Sequence, residues 1–97
     1  MGRVDLRFYI DPATGEPHIY EHGVSEEEVE EVLSSPREER PGRDHSRVVI
    51  GSTAAGRVLR VVYSSDPYPG TLFVITAYDV RGKPLAAYRR RQRHTRR

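Results

Sequence analysis

The sequence predicts a small α+β domain: a mainly antiparallel sheet of about three to five strands, one helix after the first strand or hairpin, and a carboxyl-terminal helix. Three observations point to this class. Three β-rich runs follow one another after residue 46, a capping box begins a helix at Ser25, and Pro84 precedes a short apolar stretch. A chain of 97 residues is too short for two ordinary domains. We therefore expect one domain over residues 1–97.

The first element is a strand near the amino-terminal end. Leu6, Phe8 and Ile10 alternate with polar or aromatic neighbours, which is the period of a half-buried strand. Residues 11–15 then predict a turn, because proline and glycine occupy positions that favour one. Residues 18–20 are too short to assign, and the return arm of a hairpin is one interpretation.

The first helix has the strongest local signal in the chain. The Ser25 side chain and the Glu28 side chain can each cap a backbone N–H of the other residue, which is a capping box. Val24 and Val29 have the spacing of a hydrophobic staple. Pro36 ends the pattern. We expect a helix of two to three turns with an acidic outer face.

A loop and three strands fill the middle of the chain. Residues 37–46 alternate in charge without a period, so an exposed loop is expected. The β-rich runs then predict an antiparallel meander, joined by a turn at 53–56 and by a connection that contains Pro67 and Pro69. The three strands cover residues 47–52, 57–63 and 72–78.

The two-residue period of the strands assigns their side chains to two faces. Leu59, Val61 and Tyr63 share one face, and Val58, Arg60 and Val62 share the other. In the last strand, Phe73, Ile75 and Ala77 are expected on one face and Leu72, Val74, Thr76 and Tyr78 on the opposite one. The face with Arg60, Thr76 and Tyr78 combines donors, an aromatic ring and apolar ground, as RNA-binding sheets do. The alternative is that the second helix covers this face.

The second helix is expected to begin at Pro84, since proline suits the first helical position. Residues 85–88 supply its apolar side. The Arg-rich segment 90–97 either extends this helix or frays as a tail.

Charge is divided unequally along the chain. Residues 1–45 contain twelve acidic residues and five Arg, a net charge of −7, whereas residues 46–97 contain eleven basic residues and two Asp, a net charge of +9. Fifteen of the sixteen basic residues are Arg, which favours bidentate phosphate recognition. The basic half is therefore expected to bind RNA or an acidic protein.

The residue types exclude several chemistries. There is no Cys, no nucleophile elbow and no phosphate-binding loop, and His18 and His22 precede the helix rather than lie on it, so no metal or cofactor is expected. Cleavage of RNA by its own 2′-OH needs only a base, a proton donor and cations, which His, Tyr and Arg provide. His22 is our candidate acid or base; a structural role, bonding a backbone carbonyl, is its alternative. No apolar run reaches the ~18 residues of a membrane span, and no signal peptide is visible, so we expect a soluble, cytoplasmic protein.

Three blocks of the sequence resemble the BrnT-like toxins. They are EHGVSEEEV at 21–29, IGSTAAGRVLRVVY at 50–63 and VITAY at 74–78, in matching order over about residues 20–88. The resemblance implies a RelE-like fold and a ribonuclease toxin of a type II toxin–antitoxin pair, inhibited by a cognate DNA-binding antitoxin. His22, Arg57 and Tyr88 match family positions, whereas Glu21, Tyr78 and Pro84 stand where the family has Lys, Arg and Glu. The chain is also similar to a branch of small uncharacterised bacterial proteins that close on Tyr-Arg-Arg-Arg.

The favoured hypothesis is an RNA-directed protein, specifically a metal-independent endoribonuclease. Its candidate catalytic residues are His22, Arg57, Arg60, Tyr78 and Tyr88. Its candidate RNA-binding residues are Arg57, Arg60, Lys83, Arg89, Arg90, Arg91 and Arg93. The alternatives are a non-catalytic module that binds RNA or the ribosome, and a protein-interaction domain.

Overall fold

A computed structural model describes residues 5–65, 68 and 70–95 of the chain. Its regular elements confirm the predicted α+β class. The strands are β1 (Asp5–Phe8), β2 (Ile10–Asp11), β3 (Glu16–Pro17), β4 (Glu38–Pro41), β5 (Arg47–Ser52), β6 (Val58–Ser65) and β7 (Thr71–Asp79). The helices are α1 (Glu26–Ser34) and α2 (Gly82–Thr95), and short 3-10 turns cover His18–His22 and Arg43–His45.

Five strands form one mixed sheet in the order β1-β7-β6-β5-β4, and β2 pairs with β3 in a separate hairpin. The predicted meander of β5, β6 and β7 is confirmed, with antiparallel pairing throughout. Strand β1 adds to the edge of β7 in parallel. The expectation of a loop over residues 37–46 is wrong in part, because β4 pairs with β5 along residues 38–41. Its four side chains alternate too little in polarity to reveal a strand, since three of them are exposed.

Helix α1 begins with the predicted capping box. The Ser25 hydroxyl accepts from the Glu28 N–H at 3.1 Å, and the Glu28 carboxylate accepts from the Ser25 N–H at 3.0 Å. The buried Val29 and Val32 pack in one cluster with the inward side chains of β5, β6 and β7. Gly51 permits this approach, because a Cβ there would lie 3.2 Å from a Val32 methyl group. The core therefore lies between α1 and the sheet.

The segment before α1 differs from the prediction for residues 18–20. The return arm of the amino-terminal hairpin is Glu16–Pro17, and residues 18–22 form a 3-10 turn. Ile19 anchors this turn in the core at 1% exposure. Gly23 ends it in the left-handed conformation with φ 69°, which glycine adopts without strain. The turn thereby places His22 beside the end of β7.

A bulge in β7 overturns part of the predicted face assignment. Val62 lies opposite Thr76, but the next residue of β6, Tyr63, lies opposite Val74. Ile75 is therefore the extra residue of the bulge. The residues of β7 that precede it face the side opposite to the one that strict alternation predicts. Val74 and Ala77 share the α1 side of the sheet instead of opposite sides. The sequence prediction failed here because strict alternation cannot represent an inserted residue.

Helix α2 starts at Gly82, two residues before the expected Pro84, and continues to Thr95. Residues 90–95 are thus helical, which resolves the two alternatives for that part of the Arg-rich segment; Arg96 and Arg97 lie outside the described residues. The expected turn residues Pro67 and Pro69 also lie outside them. Leu85 and Tyr88 pack against Ile50, Val58 and Val80, so α2 covers one end of the second sheet face. Across the part of the chain described, no helix has the length and hydropathy to cross a membrane.

Candidate functional site

The candidate site begins with the part of the second sheet face that lies beyond the α2 contacts. Arg60 lies opposite Tyr78, and Val62 lies opposite Thr76, so these four side chains share a face as predicted. Val48, opposite Val62 on the other side, completes the patch. All five residues are only half-buried, whereas Ile50, Val58 and Val80 beneath α2 are buried. We call these five residues the open face: Val48, Arg60, Val62, Thr76 and Tyr78.

Two polar atoms on the open face are buried and have no hydrogen-bond partner among the residues that the structure describes. They are Nε of Arg60 and the hydroxyl oxygen of Thr76. Buried polar groups are normally paired, and an unpaired one costs about 1–3 kcal/mol. The Arg60 guanidinium also lies 5.9 Å from the Tyr78 ring centroid, a cation–π contact that holds the cation beside the aromatic ring. The open face thus carries a cation beside an aromatic ring, with a buried Nε donor that pairs with no described residue.

His22 lies at the edge of this patch. Its ring centroid is 5.8 Å from that of Tyr78, at an interplanar angle of 62°. On its other side the His18 ring lies 5.3 Å away, and Nδ1 of His18 pairs with the Asp11 carboxylate at 3.2 Å. His22 is exposed and, with Tyr78, lines an open cleft of about 300 Å³. The structure therefore brings together three of the five predicted catalytic residues: His22, Arg60 and Tyr78.

Arg57 does not belong to that group, because all three nitrogens of its guanidinium donate to groups of the protein itself. Its Nε donates to Asp79 at 2.6 Å, and its Nη1 donates to Glu28 at 2.8 Å and to the carbonyl of Gly23 at 2.9 Å. Its Nη2 reaches the carbonyl of His22 at 3.4 Å. The predicted phosphate-binding role of Arg57 is unsupported by this geometry. Arg57 instead connects α1, β7 and the turn that holds His22.

Tyr88 is also separated from the open face. It is 4% exposed and packs with Ile50, Val58 and Val80 under α2. A side chain in that position stabilises the helix–sheet contact and is withdrawn from the surface where a strand of RNA would lie. Its predicted catalytic role is therefore corrected to a packing role. The match to a family position did not distinguish a catalytic role from a packing role, since a tyrosine is suited to either.

The arginines of α2 are spread around the helix. Arg91 pairs with Glu38 of β4 through two hydrogen bonds of 2.7 and 2.8 Å, which hold the pKa of Glu38 below its ordinary value. Lys83 and Arg90 are exposed, and Arg89 and Arg93 line a groove on the flank of α2 next to the β5–β6 turn. The predicted RNA-binding residues thus do not form one continuous surface. Only Arg60 lies on the open face.

Sequence reasoning missed a second cation–aromatic group on the same sheet face. The bulge places Phe73 opposite Ser64, two residues along β6 from Val62, and Arg7 of β1 lies opposite Phe73. The Arg7 guanidinium lies 5.8 Å from the Phe73 ring and 5.7 Å from the Tyr68 ring. No sequence signal locates the bulge. The parallel pairing of β1 with β7, which is a long-range contact, was equally invisible.

Acid is expected to destabilise the fold through Glu28 and Asp79. The backbone N–H of Ser25, and then Arg57, hold the pKa of Glu28 below its ordinary value of 4.5. Arg81, and then Arg57, hold the pKa of Asp79 below its ordinary value of 3.8. A lowered folded-state pKa gives stabilisation that is complete above the ordinary value and lost as the pH falls through the lowered one.

The check is a series of urea-unfolding curves between about pH 6 and about pH 3, compared for the wild type and Glu28→Gln. We expect the wild type to lose more stability over this interval, because the variant lacks one of the two linked carboxylates. Equal losses in the two proteins would contradict the assignment.

Comparison with known proteins identifies the family. The model of a domain of unknown function, DUF4258, matches residues 18–79. This match spans more than half of the chain and runs from the His18 turn to the end of β7, so the protein belongs to the DUF4258 family. No curated protein and no solved structure matches the chain significantly. Within the described residues, no group of three or more His, Cys, Asp or Glu side chains is placed to bind a metal ion.

Proposed function

We propose that the protein binds single-stranded RNA on its open face and cleaves it as an endoribonuclease. The observation that supports this proposal most directly is Arg60: the residue is half-buried, its guanidinium lies beside the Tyr78 ring, and its buried Nε has no partner among the described residues. A phosphodiester oxygen that reaches the guanidinium would balance its charge, and it would pair with Nε once a shift of the Arg60 side chain exposes that atom. Tyr78, and Phe73 further along the sheet, offer rings on which bases stack.

The three clustered residues suffice for cleavage by the RNA's own 2′-OH. His22 takes the proton of that hydroxyl as its oxygen forms the new bond to phosphorus. The bond from phosphorus to the 5′-oxygen breaks, and this oxygen takes a proton from the Tyr78 hydroxyl. Water then returns a proton to Tyr78 and accepts the proton held by His22. Arg60 stabilises the charge that develops on the phosphate oxygens. The products are a 2′,3′-cyclic phosphate and a 5′-hydroxyl end.

The resemblance to BrnT-like toxins adds a biological setting to this proposal. In that setting the protein acts on cytoplasmic RNA, in association with the ribosome or free of it, and a cognate antitoxin inhibits it. A gene for a small DNA-binding protein directly beside this one would support the setting. The chemistry of the open face does not depend on it.

The proposal is tested with purified protein and end-labelled single-stranded RNA, by gel analysis of cleavage and by a binding titration. Replacing Arg60 by alanine is expected to weaken binding about tenfold or more and to abolish cleavage. Arg47→Ala is the matched control, because Arg47 lies in β5 on the α1 side of the sheet and pairs with Glu39 at 3.0 Å.

Three results distinguish the hypotheses. Cleavage that depends on Arg60 and not on Arg47 supports the enzyme. Binding with the same dependence but without cleavage supports the non-catalytic RNA module. Absence of both activities contradicts an RNA-directed role of this face and leaves the protein-interaction domain.

A further inference from the structure

A groove beside α2 is lined by three arginines from two distant segments of the chain. Arg37 follows α1, whereas Arg89 and Arg93 lie one turn apart on the same side of α2. The groove has a volume of about 340 Å³, and none of the described residues that line it is acidic. Val58 and Tyr88 form an apolar floor, and Ser52 and Gln92 add polar groups. Neither Arg60 nor Tyr78 of the open face contributes to it.

The three arginines form no ion pair within the described residues. Arg57 and Arg91 form ion pairs with Glu28 and Glu38, but Arg37, Arg89 and Arg93 form none with any residue that the structure describes. The Glu38 carboxylate next to the groove is already occupied by Arg91. Because three basic residues line one groove, the groove attracts an anion.

Arg37 lies between an acidic groove and a basic groove. On the α1 side, Arg37 borders a separate groove lined by Glu27, Glu30 and Glu31. On the α2 side it faces only Arg89 and Arg93 among the ionisable residues of the lining. An anion is therefore directed to the α2 side. The backbone N–H of Arg37 donates to the carbonyl of Ile50 at 3.0 Å, which fixes the chain at this border.

We propose that this groove binds the phosphate of a nucleotide-sized ligand. Arginine recognises phosphate through paired N–H donors, and three arginines match the several oxygens of one phosphate group. The groove falls within the range of about 300–1,000 Å³ usual for small-molecule sites, and its apolar floor can accept the organic part. Two sources share this chemistry: a free nucleotide and the terminal phosphate of an RNA strand. The proposal does not rest on RNA cleavage at the open face.

Calorimetric titration of the full chain with adenosine 5′-monophosphate tests the proposal. We expect Arg37→Ala and Arg89→Ala each to weaken binding about tenfold or more, since each removes a charge-assisted contact. Arg90→Ala is the matched control: it removes the same charge from the next position of α2, outside the groove, and should change affinity less than about twofold. The titrations are repeated in the Arg60→Ala background, which removes the phosphate contact of the open face, so that the binding that remains and depends on Arg37 and Arg89 belongs to the groove.

A second titration identifies the source of the phosphate. A short RNA with a 5′-phosphate is compared with the same RNA carrying a 5′-hydroxyl, both in the Arg60→Ala background. Preference for the phosphorylated end, abolished by Arg37→Ala, assigns the site to RNA ends, whereas binding of the mononucleotide alone assigns it to free nucleotides. Failure of both probes to bind, or equal weakening by Arg90→Ala and Arg89→Ala, would overturn the proposal.

Discussion

Replacing His22 by alanine is expected to lower RNA cleavage by about 100-fold or more while RNA binding changes little. His22 is the exposed imidazole next to Tyr78, at 5.8 Å between ring centroids, and it is the residue that we assign to accept the 2′-OH proton. Its side chain makes no hydrogen bond with the described residues that the fold would lose. A lower rate of cleavage with unchanged RNA binding therefore identifies a role of His22 in the chemical step.

The measurement is a single-turnover cleavage assay with RNA binding recorded in parallel. Added imidazole should restore part of the activity of His22→Ala, because a free base can enter the open cleft that the missing ring leaves. His45→Ala serves as the control: His45 is also exposed but belongs to the 3-10 turn after β4. Full activity in His22→Ala would remove this residue from the mechanism.

Replacing Arg57 by methionine is expected to lower the free energy of unfolding by on the order of 2 kcal/mol. The Arg57 side chain is 29% exposed, and its guanidinium donates to two carboxylates and two carbonyls, so its removal leaves Glu28 and Asp79 without a cation between them. Methionine retains much of the aliphatic volume. The loss therefore reports the polar network and not a cavity.

Arg81→Met is the matched control for this prediction. Arg81 binds the same Asp79 carboxylate at 2.7 Å, but its side chain is 81% exposed. Exposed ion pairs contribute little, so we expect a change below about 1 kcal/mol. Urea unfolding of both variants gives the comparison, and equal effects would show that burial of Arg57 adds nothing.

Arg57 is also expected to act as a positioning residue. It reaches the carbonyls of His22 and Gly23 at 3.4 and 2.9 Å, so its loss should displace the His22 backbone. At a temperature where Arg57→Met is fully folded, cleavage should still be reduced while the RNA dissociation constant is unchanged. Normal cleavage under those conditions would restrict Arg57 to stability.

Local patterns in the sequence were sufficient for much of the architecture. The capping box at Ser25, the hairpin of β5 and β6 and the common face of Arg60 and Tyr78 all follow from contacts between residues near in sequence or from the alternation of a strand. Such signals are written into a few adjacent residues. They place the ends of elements and the sides of strands without reference to the rest of the fold.

The candidate site was only partly accessible to the same reasoning. His22, Arg60 and Tyr78 were selected from chemistry and from a family resemblance, and the fold brings them together. Arg57 and Tyr88 were selected on the same grounds. The carboxylates that bind Arg57 lie 22 or more residues away in the sequence, and Tyr88 is buried between α2 and the sheet. Whether a guanidinium is free or neutralised depends on those distant partners.

By itself, the sequence determined the α+β class, the start of α1, the central meander and the separation of an acidic front half from a basic back half. The tertiary structure alone decided that β1 joins β7 in parallel, that Ile75 bulges, and that Arg37 meets Arg89 and Arg93 across 52 or more positions of chain. The physical reason is the distance along the sequence between the residues that interact. Capping and alternation depend on neighbours within a few residues, whereas strand partners and the pairing of charges are settled by the packing of segments far apart in the chain.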